Sequence, residues 1–166
     1  MASTYTDNTG IEQPGSGEQA GSWGTTVNRN FAIIDAAVHG QVEKTVTGDF
    51  DLTTTDGAVS DGQHTVIVLT GTPGSTFEMR VTPINQQKYF TVRNETTDGS
   101  ACRVIYKGVT YSTSTGVEIA SGATQAVTGD GTKGGNTSGI FKNLTPPTDL
   151  VLSLIHISEP TRLHCI

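Results

Sequence analysis

Cysteine is nearly absent from this 166-residue chain, occurring only at Cys102 and Cys165. No disulfide framework or zinc-type spacing follows from so few, and Cys102, inside a strand pattern, reads as a small core or surface residue. Basic residues are also scarce: 10 Lys and Arg stand against 16 Asp and Glu, and the nine that precede residue 152 are scattered singly. Nucleic-acid binding needs a basic face that neutralises phosphates, so no nucleic-acid partner is expected. No apolar run approaches the roughly 20 residues needed to cross a bilayer, and no membrane partner is expected either. Met1 is followed by Ala2-Ser3-Thr4-Tyr5-Thr6-Asp7, neither basic nor apolar, so no secretory leader is read there. Hydrophobic residues make up 34% of the chain, against about 45–50% for a usual domain when glycine is included. Adding the 20 glycines brings the chain close to that figure, which leaves Gly and Thr carrying much of the sequence. Such a chain closes a small core and is expected to complete it against copies of itself.

What is present divides into a polar start, one helix and a β-rich remainder. Up to Gly21 the pairs Thr9-Gly10, Pro14-Gly15, Ser16-Gly17 and Ala20-Gly21 break any periodicity, which predicts a loop or extended arm. Val27, Phe31, Ile34 and Val38 then follow at steps of four, three and four, which place them on one helical face. With Ser22 as N-cap and Gly40 as a left-handed C-terminal residue, one short amphipathic helix is predicted over about Thr25 to His39. Beyond Gly40, turn signals recur every eight to twelve residues, the pattern of a sandwich, barrel or repetitive β-fold.

Strands are predicted over His64–Thr70, Thr76–Thr82, Tyr89–Asn94 and Cys102–Lys107. Shorter ones follow near Val109–Tyr111, Val117–Ala120 and Gln125–Thr128. Phe77, Met79 and Val81 alternate with Thr76, Glu78, Arg80 and Thr82, the period of a half-buried strand; Phe90 and Val92 oppose Tyr89, Thr91 and Arg93, and Cys102, Val104 and Tyr106 oppose Arg103, Ile105 and Lys107. Thr97-Asp98-Gly99-Ser100 predicts a hairpin turn between the strands on either side. From Asp130 the chain loosens into a linker, and Ile140-Phe141 begins another element.

Residues with chemical potential have plainer readings. Trp23 stands beside Gly21 and Gly24 at the helix entrance, where it would staple onto Phe31 or contact another subunit. Asp49, Asp51, Asp56 and Asp61 do not match the twelve-residue calcium loop and its terminal Glu, so they read as solvated turns. His39 sits at the helix C-terminus, which favours a cation, and His64 opens a strand; neither has a partner at ligand spacing. No Gly-x-Ser-x-Gly nucleophile elbow occurs. Asn94-Glu95-Thr96, Asn136-Thr137-Ser138 and Asn143-Leu144-Thr145 have the form of glycosylation acceptors and read as ordinary turns. No catalytic residue, metal ion or cofactor is expected.

Two stretches carry a family resemblance. Thr9-Gly10-Ile11-Glu12 through Gly17-Glu18-Gln19-Ala20-Gly21-Ser22-Trp23-Gly24-Thr25-Thr26-Val27-Asn28, continued by Asn30 and Phe31, resembles the GxGEQxGxWGxxxNxN start of phage tail-fibre-like and virion structural proteins. Tyr89-Phe90-Thr91-Val92-Arg93-Asn94-Glu95-Thr96-Thr97-Asp98-Gly99 resembles the "strand, Arg-Asn-x-Thr-Thr, turn, strand" element of the same proteins, with Gly116-Val117-Glu118-Ile119-Ala120-Ser121-Gly122 echoing a later segment. The resemblance covers most of residues 5–132. It implies a location in the virion tail, oligomers built on a shared axis (a homotrimer) and binding rather than turnover. A third likeness is of another kind. Residues 152–162, Leu-Ser-Leu-Ile-His-Ile-Ser-Glu-Pro-Thr-Arg, resemble the in-frame translation of a transposase-type sequencing-library adapter, and Leu163 to Ile166 fit an index and the next adapter codon. This implies a gene assembled from environmental reads, truncated after Val151. His156, His164, Cys165 and Glu159 are therefore set aside as metal ligands.

The expected architecture is mainly β: an arm and one amphipathic helix (1–44), a small antiparallel β-module, sandwich-like or a trimeric prism (45–132), a linker with the start of a next element (133–151), and an adapter-encoded tail (152–166). The expected function is that of a non-enzymatic tail-fibre or tail-appendage subunit, made in the bacterial host cytoplasm. Its partners would be itself and other virion tail proteins, and a host-surface glycan through the part beyond Val151. Trp23, Val27, Phe31, Ile34 and Val38 would form the oligomerisation or attachment surface. The alternative is a carbohydrate-binding, adhesin-like β-module, for which Tyr89, Tyr106 and Tyr111 are the candidate aromatics along one sheet face. A fibre-borne depolymerase would need paired carboxylates in one groove, and none can be paired from the sequence.

Overall fold

The computed structural model describes residues 2–132 and 139–144. Residues 133–138 and 145–166, and with them most of the expected linker and the adapter-like segment, lie outside the described residues. The chain begins with two antiparallel two-residue strands, β1 (Thr4–Tyr5) and β2 (Glu12–Gln13), where only an arm was expected. The helix α1 spans Trp23–His39 and starts two residues earlier than predicted. Ser22 occupies the N-cap without a side-chain capping bond; its carbonyl accepts the amides of Thr25 and Thr26. Gly40 is not left-handed but extended, at φ −70° and ψ 139°. Glycine is needed there for space, since a Cβ would lie 2.5 Å from the Ala36 carbonyl oxygen.

From Gln41 the chain winds between two sheets. β3 (Gln41–Val46), β5 (Val66–Gly71) and β7 (Lys88–Asn94) belong to one sheet; β4 (Phe50–Thr53), β6 (Phe77–Thr82) and β8 (Cys102–Tyr106) belong to the other. Successive strands thus alternate between sheets, and neighbours within each sheet run parallel. β9 (Val117–Ile119) then adds antiparallel to β8, while β10 (Thr124–Gly129) adds antiparallel to β7 and β11 (Phe141–Asn143) to β10. The sheet orders are β11-β10-β7-β5-β3 and β4-β6-β8-β9. The fold is mainly β with one helix, as expected, and the sheets are mixed.

The coil has a hidden period. Gln41 faces Val66, which faces Thr91, a constant step of 25 residues. In the second sheet Met79 faces Val104 at the same step, whereas Phe50 faces Met79 at a step of 29. The excess falls in the β4–β5 connection, which holds a single 3₁₀ turn, Asp61–Gln63.

The core lies between the sheets. Ile67, Leu69, Phe90, Val92 and Val127 meet Leu52, Met79, Val81, Val104 and Tyr106 from the other side. The predicted alternations place Phe77, Met79 and Val81, then Phe90 and Val92, then Cys102, Val104 and Tyr106 in this layer. Complete burial of such a side chain is worth roughly 1.5–3 kcal/mol. Tyr106 stacks on Phe141 at 4.5 Å between ring centroids, and its hydroxyl donates to the Gln86 carbonyl at 2.6 Å.

Three local expectations are corrected. The turn at Thr97–Ser100 is not a hairpin, because β7 and β8 lie in different sheets; it carries the chain across the sandwich. The stretch Val109–Tyr111 is not a strand but part of a loop in which Gly116 sits so close that a Cβ would lie 2.6 Å from Ile105 Cγ2. The boundary expected after residue 44 falls inside β3.

Candidate docking surface

Helix α1 has two apolar faces. Thr26, Ile33 and Ala36 are buried against the rest of the chain. Thr65 Oγ donates to the Ala37 carbonyl at 2.5 Å, and Gly40 O accepts the amides of Thr65 and Val66, fastening the C-terminal end to the sandwich. The N-terminal half is held through Asn30, whose Oδ1 accepts the Glu12 amide at 3.0 Å and whose Nδ2 donates to the Glu12 carbonyl at 2.8 Å.

The other face points outward. At about 100° per residue, Trp23, Val27, Phe31, Ile34 and Val38 fall within an arc of roughly 80°. Trp23 is 64% exposed, Phe31 63%, Val38 54% and Ile34 42%; Val27 is half-buried. All five expected docking residues therefore share one ridge. The steps from Val27 to Val38 are those of alternating d and a positions, the narrow seam of a coiled coil rather than the wider stripe of a helix that covers a core. Asn28 and Asp35 flank it on one side. Trp23 and Phe31 are both open to solvent, so the tryptophan is not buried as a staple.

The polar residues of the Gly-x-Gly-Glu-Gln segment bond to neighbouring parts of the N-terminal arm instead. Glu18 accepts the Gly15 amide at 3.1 Å, which draws its carboxyl below the usual range. Gln19 Nε2 donates to Glu12 Oε1 at 2.7 Å. The motif thus shapes the approach to α1 and leaves its tryptophan outside.

The remaining concavities are shallow. An open cleft of about 470 Å³ is bordered by Tyr111, Glu118, Phe141 and Lys142. Among the described residues Glu118 is the one carboxylate on its lining, and it is paired with Arg103 at 2.7 Å. The Arg103 guanidinium in turn lies 4.4 Å over the Tyr111 ring. The aromatic row that the carbohydrate reading requires does not form, since Tyr106 is fully buried in the core. Among the described residues no three His, Cys, Asp or Glu side chains are grouped to hold a metal ion, and no helix is long and apolar enough to cross a membrane.

Several residues that organise this arrangement have no signal in composition or periodicity. Lys88 is buried and donates to Thr54 Oγ at 2.5 Å, Gly62 O at 2.9 Å and Asn8 O at 3.3 Å, with no carboxylate among these partners. Burial pulls its amine down to about 8. Asn94 is buried where the chain leaves β7. The Arg-Asn-x-Thr-Thr spelling marks Asn94 as unusual, but only the fold gives it a task. No family model, curated protein or solved structure matches this chain.

Proposed function

We propose that this chain is a structural subunit of a bacteriophage virion, a tail fibre or tail appendage, which self-associates as a homotrimer and joins other tail proteins through α1. The observation that carries this reading is the uncharged ridge of Trp23, Val27, Phe31, Ile34 and Val38, left open on a helix whose opposite face is already occupied. Contiguous exposed apolar surface of this kind marks an interaction site. The likeness of residues 9–31 to the start of tail-fibre-like proteins supports the virion setting. Burial of each ridge side chain contributes roughly 1.5–3 kcal/mol, and every copy brings the full set. The sum is comparable to the ~4–15 kcal/mol cost of association. Host-surface glycan contacts belong, on this reading, to sequence beyond Val151.

Sedimentation equilibrium tests the proposal. The wild-type chain is expected at three times the mass of a monomer, and Phe31→Asp at the mass of one chain with an unchanged circular-dichroism spectrum. A wild-type protein that stays monomeric at tens of micromolar refutes self-association through this ridge.

A further inference from the structure

The β1–β2 hairpin is poorly equipped to stay in place by itself. Its strands are two residues long, and a lone two-stranded hairpin is marginal in water even when longer. Of residues 2–22 only Gly10 is buried, so little apolar area holds this segment down. Its attachment is polar and concentrated at two places. At the tip, the Thr9 carbonyl accepts from Gln63 Nε2 at 2.7 Å and the Asn8 carbonyl from Lys88 Nζ at 3.3 Å. Asn8 Oδ1 accepts the Gln87 amide at 3.0 Å, and Gly10 O accepts the Gly57 amide at 2.7 Å. Gly10 adopts φ +68°, and a Cβ there would lie 2.8 Å from Asp56 Oδ1, so the tip fits closely. At the base, the backbone of Glu12 is held on both sides by Asn30 of α1.

We infer that the β1–β2 hairpin is a latch: its tip is gripped by Gln63 and Lys88 of the sandwich, its base by Asn30 of the docking helix, and it opens and closes without unfolding the sheets. Segments with few buried apolar contacts and solvent-exposed backbone hydrogen bonds open at free energies well below global unfolding, and this hairpin is the part of the described chain that best meets that description. While the latch is shut, the N-terminal half of α1 is fixed relative to the sandwich and the ridge has one direction. When the tip withdraws, α1 loses the hold through Glu12 and Asn30 and keeps the hydrogen bonds at Ala37 and Gly40 together with the burial of Thr26, Ile33 and Ala36. The latch therefore governs how the ridge is presented. The inference concerns the hinge of the ridge and stands whether or not that ridge binds virion subunits.

Hydrogen exchange read segment by segment on the full chain tests it, using wild type, Gln63→Ala and Asn30→Ala. In wild type, amides of residues 4–13 are expected to exchange at least 100-fold faster than those of β5 to β8. Gln63→Ala should accelerate residues 4–13 and the first half of α1 by about tenfold or more and leave β5 to β8 unchanged. Asn30→Ala should accelerate the first half of α1 and leave the tip amide bond of Gly57 protected. Equal protection of hairpin and sheets in wild type overturns the inference, as does a Gln63→Ala variant that loses protection everywhere at once or nowhere. Sedimentation of the same samples separates this outcome from the failure of self-association, because exchange at the hairpin is scored independently of mass.

Discussion

Asn94 and Ile119, on strands of opposite sheets, are joined by an amide-to-carbonyl hydrogen bond of 3.0 Å inside the sandwich. The second Nδ2 hydrogen goes to Ser100 O at 2.9 Å, and Oδ1 accepts the amide and the hydroxyl of Thr96 at 3.3 and 2.8 Å. One side chain thus serves four partners at the point where the third coil crosses between sheets. Asn94 has no free hydrogen and no exposed surface, so the Asn94-Glu95-Thr96 acceptor spelling describes a structural joint.

Replacing Asn94 should therefore cost more than a surface change. Asn94→Ala leaves the Ser100 and Ile119 carbonyls buried with fewer donors, a penalty of about 1–3 kcal/mol for each group stranded. Urea denaturation is expected to show a loss of at least about 2 kcal/mol; a loss below 0.5 kcal/mol would contradict the role assigned to this side chain.

Stability should rise with pH just above neutrality. Lys88 ordinarily titrates at 10.5 and does so at about 8 in the fold because burial disfavours its charge. Between those values the unfolded chain holds a proton that the folded chain has released, so raising the pH favours the folded state. Cys102 acts in the opposite direction from pH 9.0 upward, where burial pushes its thiol up to about 12: there the folded chain keeps a proton that the unfolded chain loses. The urea midpoint is expected to increase from pH 7.5 to 9 and to climb less steeply or turn over above it. A midpoint that falls between pH 7.5 and 9 contradicts the account of Lys88.

The Cys102 thiol should be chemically silent in the native protein, since it is fully buried as well as protonated. In a Cys165→Ser background, a chromogenic disulfide reagent is expected to leave it unreacted under native conditions and to titrate one thiol in denaturant. Rapid native reaction would show that the sandwich opens around β8.

Gly129 should not tolerate a methyl group. An alanine Cβ there would press on the Tyr106 hydroxyl and lie 2.7 Å from the Phe141 ring, where β10 crosses the closing aromatic pair. Over-packing of this kind costs typically 1–3 kcal/mol, so Gly129→Ala is expected to lower the melting temperature by several degrees. Differential scanning calorimetry would decide it; an unchanged temperature means that the pair shifts freely.

The apolar ridge of α1 was legible because helical spacing is a local property: Val27, Phe31, Ile34 and Val38 define one face whatever surrounds them. The same face was expected to meet other subunits, but that Thr26, Ile33 and Ala36 would be the residues turned inward was not legible, since both faces carry apolar residues. The bonding roles of Asn30, Gln63 and Lys88 were not legible for a different reason. Their hydrogen bonds span 18, 54 and 80 positions, beyond anything a local pattern can encode.

Residue order alone determined helix α1, the strands β5 to β10 and which side of β6, β7 and β8 turns inward, because backbone geometry imposes periods of 3.6 and 2 on neighbours in the chain. The choice of sheet for each strand belonged to the tertiary structure. Thr97–Ser100 has hairpin composition, yet the bonds of Asn94 to Ser100 and Ile119 and of Asp98 Oδ2 to the Gly74 amide, the last at 2.6 Å, lead the chain across the core. A 25-residue coil repeat left no mark in the residue types, because stacking in register requires only matched burial from one coil to the next, and many side chains satisfy that.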